Sequence, residues 1–256
     1  MNLFKKFLAR FSADRKDDAP SNLSPPTAIR QNNGDDALLD MAHSLGDAGG
    51  LLGKQLWTES AEDIFAGSLE QLSRALDDLE DINVIVVPSD GYTALHLAAK
   101  SGDVEKIQAV LERKPQLEIH SRTKQFTPLH TAVINNRPDA VRSLIKAGAD
   151  IEARANDGLT SLHLASMKGL SDVVTALLEC RADVRATESN GATPLHAAAY
   201  CGHADVATQL LIRGADPVSI DNNGYTPLSL ARSHRHEQIA LACERMRLIR
   251  EMRDNP

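Results

Sequence analysis

Residues 193–202 read TPLHAAAYCG, and the opening phrase Thr193-Pro194-Leu195-His196 returns along the chain at a fixed interval. It stands as Thr93-Ala94-Leu95-His96, Thr127-Pro128-Leu129-His130 and Thr160-Ser161-Leu162-His163 before this copy, and as the weaker Thr226-Pro227-Leu228-Ser229 after it. Successive threonines lie 34, 33, 33 and 33 residues apart. A fixed period of this size is the mark of stacked equivalent units, each burying its apolar face against its neighbours.

Each residue of the phrase has a mechanical task. Threonine is a good N-cap because its hydroxyl can satisfy an orphan amide at a helix start, and proline fits the first helical position, where no amide partner is needed. Leu95, Leu129, Leu162 and Leu195 then face inward, followed by the small Ala98, Ala132, Ala165 and Ala198, which let neighbouring helices approach. Gly102, Gly169 and Gly202 end this first helix in the left-handed conformation, with Asn136 in the same place in the second unit. A second helix follows, marked by apolar groups such as Val104/Ile107/Leu111 and Val173/Leu177, and ends at Gly148-Ala149-Asp150 or Gly214-Ala215-Asp216. An extended excursion with an Asx-Gly tip comes next: Asp90-Gly91, Asp157-Gly158, Asn190-Gly191 or Asn223-Gly224.

One helix-turn-helix and one hairpin per unit, with this phrase, resembles the ankyrin repeat, and the resemblance runs from about Pro88 to about Ile249. It implies an all-α fold with short β-hairpin loops, an ankyrin solenoid over 89–250 with repeats near 89–122, 123–154, 155–187, 188–220 and 221–250, and a tail at 251–256. Two departures stand out. Gln125 replaces the turn glycine of the second unit, predicting a reshaped tip at 123–126; in the fifth, Ser229 replaces the histidine and Arg235 the helix-ending glycine. That fifth unit turns polar, with Arg232, His234, Arg235, His236 and Glu237, as a C-terminal cap would. The stretch from Glu244 to Arg253 is expected to prolong its last helix, with Met246, Ile249 and Met252 facing the stack.

Residues 57–88 carry Ile64, Phe65, Leu69, Leu72, Leu76 and Leu79 at helical spacing and read as degenerate N-terminal capping helices. Residues 12–56 read as a mostly disordered or weakly structured linker, rich in Ser, Pro, Asp and Asn and then broken by glycines. Residues 1–11 form a basic amphipathic helix. Phe4, Phe7 and Phe11 line one face with Leu3 and Leu8, while Lys5, Lys6 and Arg10 crowd away from it. Such a segment suits peripheral membrane contact, a partner's groove or docking back onto the solenoid.

A formal net charge of −7 and a pI near 5.7 disfavour nucleic acid as a partner. Cys180, Cys201 and Cys243 are odd in number, widely spaced and without a CxxC pair, which fits a reducing compartment. No run of about 18 apolar residues is present and the first residues lack a secretory core. The expectation is a cytoplasmic protein, membrane-associated if residues 1–11 engage lipid, and a monomer in isolation. No catalytic residue, metal site or cofactor is expected. His96, His130, His163 and His196 recur once per unit, which makes a row of local hydrogen-bonding groups rather than ligands converging on one point. His234 and His236 do not share a helix face, and Gly53-Lys54-Gln55 lacks both ends of a phosphate loop.

The resemblance also implies where a protein partner sits: on the residue before each phrase threonine and on those before each helix-ending glycine. The first set is Tyr92, Phe126, Leu159, Ala192 and Tyr225; the second includes Ile134-Asn135, Met167-Lys168 and Tyr200-Cys201, with Lys100-Ser101 and Ser233-His234 as polar flanks. Ile134, Met167 and Tyr200 then form consecutive exposed rungs on a concave face. The expected function is a non-enzymatic protein-protein adaptor or scaffold. The alternatives are a regulatory or inhibitory subunit of an enzyme, or an exported effector that binds a host protein.

Overall fold

The computed structural model describes residues 61–254, so the helix expected at 1–11, the linker at 12–56 and the start of the 57–88 segment lie outside the described residues. The described chain opens with α1 (Ala61–Ala66) and α2 (Leu69–Asp77). Ser68 caps α2 reciprocally: its Oγ accepts from the Gln71 amide at 3.2 Å, and Gln71 Oε1 accepts from the Ser68 amide at 2.9 Å. A two-stranded antiparallel sheet follows, β1 (Ile85–Val87) with β2 (Tyr92–Thr93).

Five helix pairs come next. They are α3 (Ala94–Ser101) with α4 (Val104–Leu111), α5 (Pro128–Ile134) with α6 (Pro138–Lys146), α7 (Ser161–Lys168) with α8 (Ser171–Glu179), α9 (Pro194–Cys201) with α10 (Ala204–Ile212), and α11 (Pro227–Ser233) with α12 (Glu237–Asp254). Each first helix packs on the first helix of the next pair, and each second helix on the next second helix. The register is the one the leucines and alanines demand: Leu95, Leu129, Leu162, Leu195 and Leu228 are buried, as are Ala98, Ala132, Ala165, Ala198 and Ala231. Helices α1 and α2 pack on α3 and α4 in the same manner. Lys106 fastens them, its buried Nζ donating to the Phe65 carbonyl at 2.6 Å.

The phrase works as a modified capping box in which histidine supplies the third-position side chain. In the first unit His96 Nδ1 accepts from the Thr93 amide (3.2 Å) and from the Thr93 hydroxyl (2.9 Å), which requires the proton on Nε2. That Nε2–H donates at 3.0 Å to the Phe126 carbonyl, one unit along. His163 donates likewise to Ala192 (3.0 Å) and His196 to Tyr225 (3.1 Å). His130 repeats the local part with Thr127, but its buried Nε2 makes no well-aligned hydrogen bond to the next unit. Burial pushes His96, His130 and His163 down to about 4 and lowers His196 too, so these rings stay neutral at pH 7.

Left-handed residues end the first helices: Gly102, Gly169 and Gly202 have φ of 79°, 70° and 83°. At Gly169 a Cβ would also fall 2.5 Å from the His203 ring of the next unit. Asn136 (φ 55°) and Arg235 (φ 61°) adopt the same conformation without being glycine. Gln125 does so at φ 53°, close to the values of Gly91 (73°) and Gly158 (75°), yet the tip is reshaped: its closing bond runs from Ser121 to Phe126, one residue wider than Ala155 to Leu159, Glu188 to Ala192 and Asp221 to Tyr225. The Gln125 side-chain amide donates to the Ser121 carbonyl at 3.2 Å, offsetting part of the strain.

The excursions are narrower than hairpins. Beyond β1 and β2, each is closed across its base by one backbone bond, as from Ser121 to Phe126 (2.8 Å) and from Asp221 to Tyr225 (2.9 Å), with a tighter bond inside the last three, as from Gly224 to Asp221 (2.9 Å). Successive tips are linked in series, since the amides of Arg122, Asn156, Ser189 and Asn222 donate to the carbonyls of Asp90, Lys124, Asp157 and Asn190.

The last helix corrects the expectation for the tail. Helix α12 runs for 18 residues, against 9 for α10, and reaches Asp254. Helical rotation puts Ile239, Cys243, Met246 and Arg250 on the stack side and turns Ile249 and Met252 out to solvent. Arg250 donates to Asp216 Oδ1 (2.8 Å) and to the carbonyls of Gly214 (3.2 Å) and Ala215 (3.0 Å), clasping the preceding loop.

Two predictions follow from this geometry. A left-handed non-glycine residue costs about 1–2 kcal/mol, so Arg235→Gly should raise the denaturant midpoint by the equivalent of roughly 0.5–1 kcal/mol, once glycine's greater unfolded-state entropy is deducted. The neutral histidines set the pH response. Their folded pKa lies below the unfolded value of about 6.5, so the unfolded state binds more protons as pH falls from there towards 4, and stability drops across that window by up to about 3 kcal/mol per ring. Proton NMR titration of the ring carbons should place His96, His130 and His163 near pH 4, with unfolding free energies measured at pH 7.5 and pH 5 differing in that sense.

Candidate partner-binding surface

The two predicted rows separate sharply in the structure. In the row before the phrase threonines, Phe126, Leu159 and Ala192 are buried and so cannot serve as exposed anchors. Phe126 stacks on His130 of its own unit with ring centroids 5.8 Å apart. Tyr92 is half-buried, stacked on His96 at 5.1 Å, and Tyr225 is exposed.

Met167, expected as the middle rung of the concave row, is likewise buried at the end of α7. Its carbonyl accepts at 3.0 Å from His203 Nε2 of the next unit, and Lys168 occupies the surface in its stead. Ile134, Asn135, Tyr200 and Cys201 are half-exposed. At these positions Ile134-Asn135, Lys168 and Tyr200 are the side chains that reach the surface of successive units.

The carbonyls at these helix ends are held from the following unit. Arg137 Nε donates to Lys100 O (3.3 Å), Lys168 Nζ to Ile134 O (3.3 Å) and His236 Nε2 to Tyr200 O (3.3 Å), alongside the His203 bond. These bonds fix the height of each rung, so Ile134 and Tyr200 are presented on a rigid frame. The Tyr200 ring lies against His234 at 4.4 Å, tilted 54°, and burial pushes its phenol up, keeping the hydroxyl protonated. Sequence reasoning did not single out His203 and Arg137 as the clamps of this row. Their signal was present, one residue past each helix-ending glycine or asparagine.

Little here is arranged for chemistry. In the phrase histidines Nδ1 is taken by threonine, and in His96, His163 and His196 Nε2 is given to a carbonyl. Among the described residues no cluster of three or more His, Cys, Asp or Glu side chains could hold a metal. Cys180, Cys201 and Cys243 form no disulfide, and burial pushes the Cys243 thiol up to about 11. No described helix is long and apolar enough to cross a membrane.

Comparison with known proteins agrees with the geometry. A family model of ankyrin repeats, in three copies, matches residues 64–155 and 162–242. The chain is 36% identical over 93 residues to human protein phosphatase 1 regulatory subunit 27, covering 36% of this chain and 58% of that protein. It is 30% identical over 91 residues to mouse ankyrin repeat and SAM domain-containing protein 6 (36% of this chain, 10% of that protein) and 35% identical over 79 residues to the mouse B-cell lymphoma 3 protein homolog (29% and 17%). The chain thus spans less than two thirds of the length of these relatives. With the unit geometry, the phrase and a family match over more than half its length, this chain belongs to the ankyrin-repeat family.

Proposed function

We propose that the protein is a non-enzymatic adaptor that holds a protein partner along its first-helix ends. Ile134, Asn135, Lys168 and Tyr200 contribute the central contacts, and Tyr92 and Tyr225 the tip contacts. The observation that carries this reading is the pair Ile134 and Tyr200, two half-exposed apolar or aromatic side chains two units apart on frames fixed by inter-unit hydrogen bonds. Rigid, partly desolvated anchors of this kind are where binding energy concentrates. The buried Phe126, Leu159 and Met167 take no part.

The test is an Ile134→Ala, Tyr200→Ala variant used beside the unaltered protein in affinity capture and then in titration against the captured partner. The expected loss is roughly 2–4 kcal/mol of binding with an unchanged circular dichroism melt; equal affinity would overturn the assignment of these anchors.

A second reading is favoured by one observation, the similarity to a protein named as a phosphatase regulatory subunit. On that reading the same row contacts a phosphatase catalytic subunit and alters its turnover. Adding purified protein to protein phosphatase 1 catalytic subunit decides between the two. The adaptor reading expects unchanged turnover of a small phosphate-ester substrate, whereas the regulatory reading expects a saturable change that the double variant abolishes.

A further inference from the structure

Certain positions in each unit reach forward to the unit that follows. Fifteen residues after the phrase threonine, Gln108 Nε2 donates to Ser143 Oγ (3.4 Å) and Thr175 Oγ1 to Gln209 Oε1 (3.1 Å). Eight residues before it, Glu152 Oε1 accepts from the Asp183 amide (2.7 Å), and Arg185 Nε donates to the Gly214 carbonyl (3.4 Å). Six residues before it, Arg154 Nη1 donates to the Thr187 carbonyl (2.8 Å). Three residues after it, His96, His163 and His196 donate to the next unit's carbonyl.

In the fifth unit those same positions are Leu241, Val218, Ile220 and Ser229. Three are apolar and exposed; the position of Val218 is also apolar in the first two units (Ile85, Ile119), whereas that of Leu241 is polar in all four earlier ones (Gln108, Arg142, Thr175, Thr208). The fourth, Ser229, turns its hydroxyl back to the Thr226 carbonyl of its own cap at 2.8 Å. The forward hydrogen bonds are thus gone from every one of these positions, and apolar surface stands in their place.

Helix α12 lengthens that surface. Leu248 and Met252 lie seven and eleven residues beyond Leu241, on the same side of the helix. Tyr225 adds its ring, exposed here although its counterparts Phe126, Leu159 and Ala192 are buried in the units before it. The polar residues expected of a cap, Arg232, His234, Arg235 and Glu237, are exposed in the same unit beside this apolar surface. Among the described residues nothing stacks on the fifth unit, and an uncovered end of a stack is expected to be polar.

The exposure of Leu241, Val218, Ile220, Leu248, Met252 and Tyr225 ranges from 42% to 75%. At about 200 Å² per large side chain, these six present on the order of 700 Å² of apolar surface. The largest patch on a typical monomer is about 300–600 Å², and a standard interface buries about 800 Å² on each partner. Taken together the six approach the area that one side of a dimer buries, with Glu244 and Arg245 set between Leu241 and Leu248 on α12.

We propose that this end face is a self-association surface on which a second copy of the chain stacks tail to tail about a twofold axis. The two α12 helices run antiparallel across it. Twofold pairing places the apolar face on itself and asks for few polar partners, which is what a face stripped of its forward donors offers. The proposal is independent of the partner-binding row, because none of the residues central to that row lies on the end face; Tyr225 alone is shared with the tip contacts.

Sedimentation velocity of the full chain over a rising concentration series tests it. The expected result is a reversible monomer–dimer equilibrium in the micromolar range, as suits an interface of this size. Leu241→Glu with Leu248→Glu should weaken it about tenfold or more, and Met252→Lys, in the last described turn and exposed, should weaken it without bearing on the fold. The Ile134→Ala, Tyr200→Ala variant should dimerise like the unaltered protein, which separates this outcome from failure of the adaptor reading. A chain that stays monomeric throughout, or dimers indifferent to both α12 variants, would overturn the proposal and leave the face to a different protein.

Discussion

In three of the five units, those of His96, His163 and His196, a single imidazole carries two duties on which the stack depends. Its Nδ1 closes the cap of its own first helix through threonine, and its Nε2–H ties that cap to a carbonyl in the next unit. Local helix geometry and the spacing between units are therefore set by one rigid ring. Both bonds require the neutral tautomer, and burial keeps the proton off Nδ1. Replacing either nitrogen's partner would leave a buried polar group unsatisfied, which costs more than a typical hydrogen bond contributes.

Around that ring the stack is built from small interlocking devices. Leucine and alanine fill the space between first helices. Left-handed residues end those helices where the next unit's His203 or His236 must approach, so the turn is constrained both by its own backbone and by its neighbour. Backbone bonds then join the excursion tips in series. Each unit touches only the units beside it, so the energetics are those of a row of nearest neighbours. The ends differ from the middle for that reason: Lys106 holds the first described pair through the Phe65 carbonyl, and Arg250 holds the last through the loop at 214–216.

Much of the fold was legible in the residues themselves. Threonine, proline, the inward leucines and the turn glycines have local meanings that do not depend on distant partners, so the units, their helices and their order could be read directly. The surface was less legible. Phe126, Leu159 and Met167 stand at positions that face a partner in the resemblance, yet they are buried. Periodicity tells which side of a helix a residue takes, and whether the next unit covers that side depends on packing across about 33 residues of chain. Gln125 shows the same limit in backbone terms, since a residue that disfavours a left-handed turn accepts it when the tips on either side are hydrogen-bonded in place.

By itself the sequence determined the repeat, its period, the identity of the capping groups and the structural role of the phrase histidines, because the cap is made within a few residues; their neutrality came from burial between units. Only the tertiary structure decided which side chains remain in water. It buried the middle rung of the expected strip, left Ile134 and Tyr200 on the surface, carried α12 past the end of its unit and turned Leu241, Leu248 and Met252 outward. Exposure is a property of what lies next to a residue, and in a stack that neighbour belongs to a different unit, or at the last unit to no described residue.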